Sequence, residues 1–385
     1  MDLDILLAFL AFWGFLYLLR NKLRKIKNVE IDLFVLLIRS HKINKLISNL
    51  AIKFRIIWEY ITPLIIISGV ILMLFGTYFL VYNLILFFFN PGSAAPIQPL
   101  IPGITLTFDT LIYMIIPIII IVITHELSHG VMARINNLKI KSAGIILFLF
   151  IPGAFVEIDE SGMREMKAKR KLSIFGAGSF TNMILAVLAL LILLNYSFII
   201  SPFYIKSNGI LVTSIVPNSP AYGNLKQWDI IYDINGTTFH NLTDFYNYMN
   251  NVKPGDYLVI NTTRGVIGII AGEHPQNSSK GFIGVTPFML YKPRSPFIFL
   301  GYVLPYVLYV IINWMWILGI NVAIFNMLPV TPLDGDKFIR SLLESSKKIK
   351  DEKISVIHNV LRFLFLILLI LNILFTFILG KMIPL

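Results

Sequence analysis

Cysteine is absent from the 385 residues, so disulfides and thiolate metal sites are excluded, and any bound metal must rest on histidine and carboxylate. Charge is scarce as well: Asp, Glu, Lys and Arg make up 14% of the chain, against about 25% in a typical soluble domain, which excludes an ordinary soluble enzyme. Acidic residues are outnumbered 21 to 33 and the net charge is +12, a balance that in a soluble chain would suggest nucleic acid. The basic residues flank apolar runs instead, so no nucleic-acid partner is expected. Lys and Arg are missing altogether from residues 90–110. No sequence repeat is evident.

What is present is apolar sequence, 56% of the chain with 30 Phe, in runs long enough to cross a hydrocarbon core about 30 Å thick. Hydropathy predicts six spans, at about 4–20, 61–89, 110–133, 172–200, 297–325 and 354–379, in a polytopic α-helical membrane protein. Asp2 and Asp4 replace the basic start of a signal peptide, so 4–20 reads as a retained membrane helix. Residues 20–55, 134–171 and 337–353 are rich in Lys and Arg, which the positive-inside rule places in the cytoplasm. Both termini, and the segment between the fourth and fifth spans, then face outward. That segment, 206–290, combines turn signals such as Asn235-Gly236 and Pro254-Gly255 with short β-branched runs, and reads as an inserted, extracytoplasmic β-rich domain. Residues 336–353 read as a basic interfacial segment.

The third span ends in 124-THELSH-129. His125 and His129 are four residues apart, so on a helix both imidazoles share one face and can hold one zinc, while Glu126 lies beside them, placed for a water. With six His in 385 residues the pattern is not a chance expectation. Arg134 is nine residues beyond His125, about 14 Å of helix, which sets His125 below the membrane surface, where ionisable groups are costly without a task. Zinc needs a third protein ligand. His41, His240, His274, His358 and the carboxylates are candidates, and the orientation removes His240 and His274. In 326-NMLPVTPLDGD-336, Pro329 and Pro332 interrupt the fifth span and let the chain turn a carboxylate back, favouring Asp334 with Asp336 as its nearest competitor.

His125-Glu126-x-x-His129 on one membrane helix, followed about 200 residues later by Asn326-x-x-Pro329-x-x-x-x-Asp334-Gly335, resembles the site-2 protease family of intramembrane zinc metalloproteases. The resemblance covers about 110–340. It implies that His125, His129 and Asp334 bind one zinc, that Glu126 is the general base, and that a peptide bond inside a membrane is hydrolysed. The implied substrates are single-pass membrane proteins already shortened by another protease. In 144-GIILFLFIPGAFVEIDE-160 two short apolar runs flank an expected turn at Pro152-Gly153, consistent with a re-entrant hairpin whose edge pairs with substrate. Gly144, Pro152, Gly153 and Phe155 are the residues of that hairpin, and Pro-Gly-Ala-Phe-Val resembles the family. An Asn near the zinc in the family makes Asn182 a candidate to support the substrate carbonyl, and Asn326 is similar.

The inserted domain resembles a PDZ domain in 209-GILVTSIVPNSPA-221 and 229-DIIYDINGTTF-239, with Trp228 where the pattern has glycine. A strand-adding groove is expected near Asn208 to Val212. The expected organisation is 1–60, a membrane helix and basic loop; 61–205, the first half of the membrane core; 206–290, the PDZ-like domain; 291–336, the span with the aspartate motif; and 337–385, an interfacial segment and last span. Membrane lipid is the other expected partner.

Overall fold

The structure, a computed structural model, describes residues 3–23, 26, 28–100, 105–149, 151–346 and 349–380. The helices are α1 (Leu3–Leu18), α2 (His41–Lys53), α3 (Arg55–Phe89), α4 (Phe108–Ile135), α5 (Ala168–Leu194), α6 (Leu242–Asn251), α7 (Leu304–Asn326), α8 (Asp334–Glu344) and α9 (Asp351–Ile378), with shorter turns between them. Among the described residues five helices, α3, α4, α5, α7 and α9, are long and apolar enough to cross a membrane. The sixth expected span is α1, whose 16 residues reach about 24 Å and fall short of a hydrocarbon core. The chain divides into two compact units, Met1–Leu190 with Ile311–Leu385, and Leu191–Val310.

In the first unit the long helices are joined by polar groups and small residues, because lipid offers no hydrophobic drive between them. Asn83 of α3 donates to Asn372 Oδ1 of α9 at 3.0 Å, and Asn372 donates to the carbonyl of Leu80 at 3.1 Å. The same Asn83 exchanges two hydrogen bonds with Ala95, so the segment after α3 is fastened to the helix pair. Helix α4 starts at Thr107, whose hydroxyl accepts from Thr110 N, and ends where Asn137 takes a left-handed φ of 63°.

The basic stretch after α1 contains strands β1 (Val29–Asp32) and β2 (Val35–Arg39), which the sequence did not suggest. They extend the hairpin of β3 (Ile140–Phe148) and β4 (Ile151–Ile158) into an antiparallel sheet of order β1-β2-β3-β4. The expected turn at Pro152-Gly153 is corrected by the register: Pro152 lies opposite Leu147 and Gly153 opposite Ile146, so both are in β4. The chain reverses between Phe148 and Ile151, where Leu149 has a φ of 57° and Phe150 lies outside the described residues. Proline is tolerated there because β4 is an edge strand.

The second unit holds β5 (Tyr204–Ile215), β6 (Ile230–Ile234), β7 (Tyr257–Thr262), β8 (Gly265–Ile270) and β9 (Val285–Pro293) in the order β9-β5-β6-β7-β8, with Thr237–Thr238 paired to β6. A core of Ile210, Val212, Ile231, Ile234, Phe239 and Ile260 packs the sheet against Phe245 of α6. The groove expected at Asn208 to Val212 is corrected: that stretch belongs to β5, which is paired on both sides. The edge strands are β8 and β9, and β9 with α6 flanks a cavity of about 550 Å³ lined by Phe245, Met249 and Phe282–Pro287. Trp228 has a φ of 73°, the left-handed conformation for which glycine is the unstrained choice.

Candidate metal centre

The i, i+4 spacing on α4 brings His125 and His129 to one face, with ring centroids 4.7 Å apart. Their Nε2 atoms are 3.1 Å from each other. Asp334, the first residue of α8, sends Oδ2 to 2.9 Å from His125 Nε2 and 3.1 Å from His129 Nε2. Asp334 reaches this point because α8 starts directly against the end of α7. A Cβ on Gly335 would stand 2.2 Å from the Met327 carbonyl and 2.4 Å from that of Leu328, so only glycine permits the approach.

The second nitrogens of the imidazoles are engaged behind the cluster. His129 Nδ1–H donates to the carbonyl of Ile174 at 2.7 Å, which leaves Nε2 as a lone pair facing the cluster. The side-chain amide of Asn182 lies 3.0 Å from His125 Nδ1, is fully buried, and has an Oδ1 with no other partner. With Oδ1 turned toward Nδ1–H, both groups are satisfied and His125 Nε2 is likewise a lone pair.

Three acceptors then converge within 3.1 Å of one another, an arrangement that repels itself unless a cation or protons sit between them. Two ligands about 2.0–2.1 Å from a tetrahedral zinc are about 3.3 Å apart, close to these separations. The residues therefore fit a zinc with two imidazoles, one carboxylate and a fourth position open.

Glu126, half-buried, is tied to the sheet rather than to the cluster: its Oε2 accepts from Val156 N of β4 at 3.2 Å. Asn326 places Nδ2 3.4 Å from His125 Nε2, on the ligand side, whereas Asn182 is behind His125. Of the hairpin residues, Gly144 lies in β3 and is paired on both sides, to Arg39 and Phe155. Pro152, Gly153 and Phe155 belong to β4, whose outer edge is unpaired.

The competing carboxylate Asp336 is committed elsewhere. Its two oxygens accept from Arg362 Nε at 2.9 Å and Nη2 at 2.7 Å, and Thr331 donates to Oδ2 at 2.9 Å. His358 Nε2 is 3.0 Å from the Asp336 carbonyl, which removes this histidine from the ligand candidates too. Burial raises the Asp336 carboxyl, but Arg362, Thr331 and His358 outweigh it and hold it low. Sequence reasoning missed this clamp, although an arginine within an apolar helix is a signal that a partner exists. The Ile174 carbonyl and Val156 amide are backbone groups and left no trace in residue types.

A model of peptidase family M50 matches residues 113–369. The chain is 30% identical over 248 residues to an uncharacterized protein of Methanocaldococcus jannaschii, the match covering 64% of this chain and 61% of that one. It is 24% identical over 139 residues to a membrane-bound transcription factor site-2 protease homolog of Arabidopsis thaliana, covering 36% of this chain and 27% of the homolog. Both matches span less than two thirds of the relative's length. Among solved structures, the PDZ domain of the SdrC-like protein from Listeria monocytogenes is 26% identical, over 22% of this chain and 90% of that domain, with a TM-score of 0.20. The corresponding domain from Listeria innocua is 25% identical over 20% of this chain and 92% of its own, with a TM-score of 0.19.

Proposed function

The chain belongs to peptidase family M50, and from that premise we propose that it is a multi-pass membrane zinc endopeptidase that cuts peptide bonds within the transmembrane segments of single-pass membrane proteins. The observation that carries the reading is that Asp334 converges on His125 and His129, which with Glu126 lie on a helix long and apolar enough to span a membrane. His125, His129 and Asp334 would hold one zinc. When bound, the ion supplies a Lewis acid for the peptide carbonyl and acidifies a water. Glu126 takes the proton from the attacking water and returns it to the leaving nitrogen. Asn182 holds the His125 ring from behind, and Asn326, on the ligand side, is placed to donate to the substrate carbonyl.

A helical substrate hides its carbonyls in its own hydrogen bonds, so it must unwind to be cut. The free edge of β4 offers a template for the unwound strand, with Glu126 at the same edge. By the positive-inside rule the basic loops face the cytoplasm and residues 206–290 the outside, where a PDZ-like domain would filter or capture substrates already trimmed by another protease. The test is Glu126→Gln in the purified full chain with single-pass substrates. The expected result is loss of at least 1,000-fold in cleavage with zinc content unchanged. Cleavage that survives the substitution would refute the mechanism.

A further inference from the structure

One large cavity of the first unit is lined by none of the metal-centre residues. It occupies about 770 Å³ beside Val156–Ile158 of β4, between the start of α5 and helix α8. Arg164, Lys171, Lys337 and Arg340 face it, against two carboxylates, Glu157 and Glu344. Glu344 is shared by Lys171 at 2.9 Å and Arg340 at 3.3 Å, and Glu157 accepts from Ser142 at 2.8 Å. Lys337 sits 5.8 Å from the centroid of the Phe175 ring. Among the described residues no carboxylate pairs with Lys337 or Arg164, and both side chains are exposed. The cavity therefore carries two unneutralised cations.

Its position gives those cations a target. Val156, on the cavity wall, is also the residue whose N–H binds Glu126, so the cavity begins at the catalytic edge. A strand paired to β4 advances about 3.3 Å per residue, so a segment whose scissile bond lies beside Glu126, opposite Val156, runs along the cavity wall of Val156–Ile158 over the next two to four residues. Resting on the peptidase reading, we propose that this cavity is a specificity site for acidic side chains. It takes an Asp or Glu two to four residues from the scissile bond on the aqueous side, read by Lys337 and Arg164. Such a site would discriminate sharply, because juxtamembrane segments facing the cytoplasm are ordinarily rich in Lys and Arg.

The test uses the full chain and three single-pass substrates that differ only in two flanking residues, Asp-Asp, Asn-Asn or Lys-Lys. Wild type should prefer Asp-Asp over Lys-Lys by about fivefold or more in kcat/KM, through KM, with the preference shrinking at high salt. The charge swap Lys337→Glu with Arg164→Glu should invert the order at unchanged zinc content, an effect a structural role would not produce. The milder Lys337→Gln with Arg164→Gln should abolish the preference if the swap does not fold. Equal cleavage of the three substrates, or an unchanged order in the swapped variant, would overturn the proposal. So would a preference that disappears only in vesicles of anionic lipid, since headgroups would then occupy the cavity. Binding to Glu126→Gln separates this from the catalytic reading: preferential binding of Asp-Asp without any cleavage by wild type would sink the peptidase and keep the site.

Discussion

Replacing Gly178 with alanine sets two effects of opposite sign against each other. Gly178 lies inside α5, where helix propensity alone makes alanine more stable than glycine by about 1 kcal/mol. A Cβ at this position, however, would stand 2.5 Å from His125 Cε1, 2.6 Å from His125 Nε2 and 2.6 Å from His129 Nε2. Ordinary contact begins near 3.4 Å, so the rings must retreat by nearly an ångström, several times the ±0.2 Å that zinc–ligand distances tolerate. Neither ring is free to yield, since Asn182 and the Ile174 carbonyl hold them from behind. The expected outcome is a loss of zinc affinity of at least 10–100-fold, the range seen when ligand orientation is disturbed. Competition against a chelating dye measures it, and a thermal melt of the metal-free protein should show a lowered midpoint too, because an overpacking cost of about 1–3 kcal/mol offsets or exceeds the helix-propensity gain. Gly92→Ala, whose Cβ meets nothing nearer than Asn90 Oδ1 at 3.8 Å, is the control. A Gly178→Ala protein that binds zinc as wild type does would refute the reasoning.

Asn182→Leu should weaken zinc binding by about 10–100-fold while Asn182→Asp, which keeps an acceptor for His125 Nδ1–H, should retain it; the same dye competition reads both. Arg362→Leu leaves Asp336 buried without its forked partner and should lower the melting temperature and zinc retention, with Arg362→Lys intermediate because it keeps the charge and loses the fork. Equal melting temperatures for the three proteins would remove the clamp from the account. In the second unit, burial raises the Asp229 carboxyl but Arg264 overcomes this and holds it low, so the pair stabilises the fold above the unfolded carboxylate range. That contribution is lost as pH falls through the depressed folded value, and the urea-midpoint gap between wild type and Arg264→Met, followed by proteolysis of residues 191–310, should close below about pH 4.

The ligand pair was legible because a spacing of four is written locally in a helix and needs no knowledge of the fold. Asp334 was only partly so. Asp336 sits two residues on, and what separates them is Arg362, 26 residues beyond Asp336 on another helix. The β1–β2 pair escaped notice because its strands are short and lie in a Lys-rich stretch. Their partner β3 begins about 100 residues later, so the pairing has no local signature. The hairpin was visible as two short apolar runs, but its turn was misplaced: Pro152-Gly153 carries turn chemistry, while the reversal follows Phe148, where the sequence is wholly apolar. At Trp228 the backbone keeps the glycine conformation without the glycine, which no residue-type pattern would express.

The most direct test of the central claim is zinc content per chain, by elemental mass spectrometry on full-length protein purified without chelators, for wild type beside His125→Ala and Asp334→Ala. Wild type should carry about one zinc and both variants should lack a large fraction of it, because the three donors would share one ion. Wild type without zinc, or an Asp334→Ala variant that retains the full amount, would contradict it.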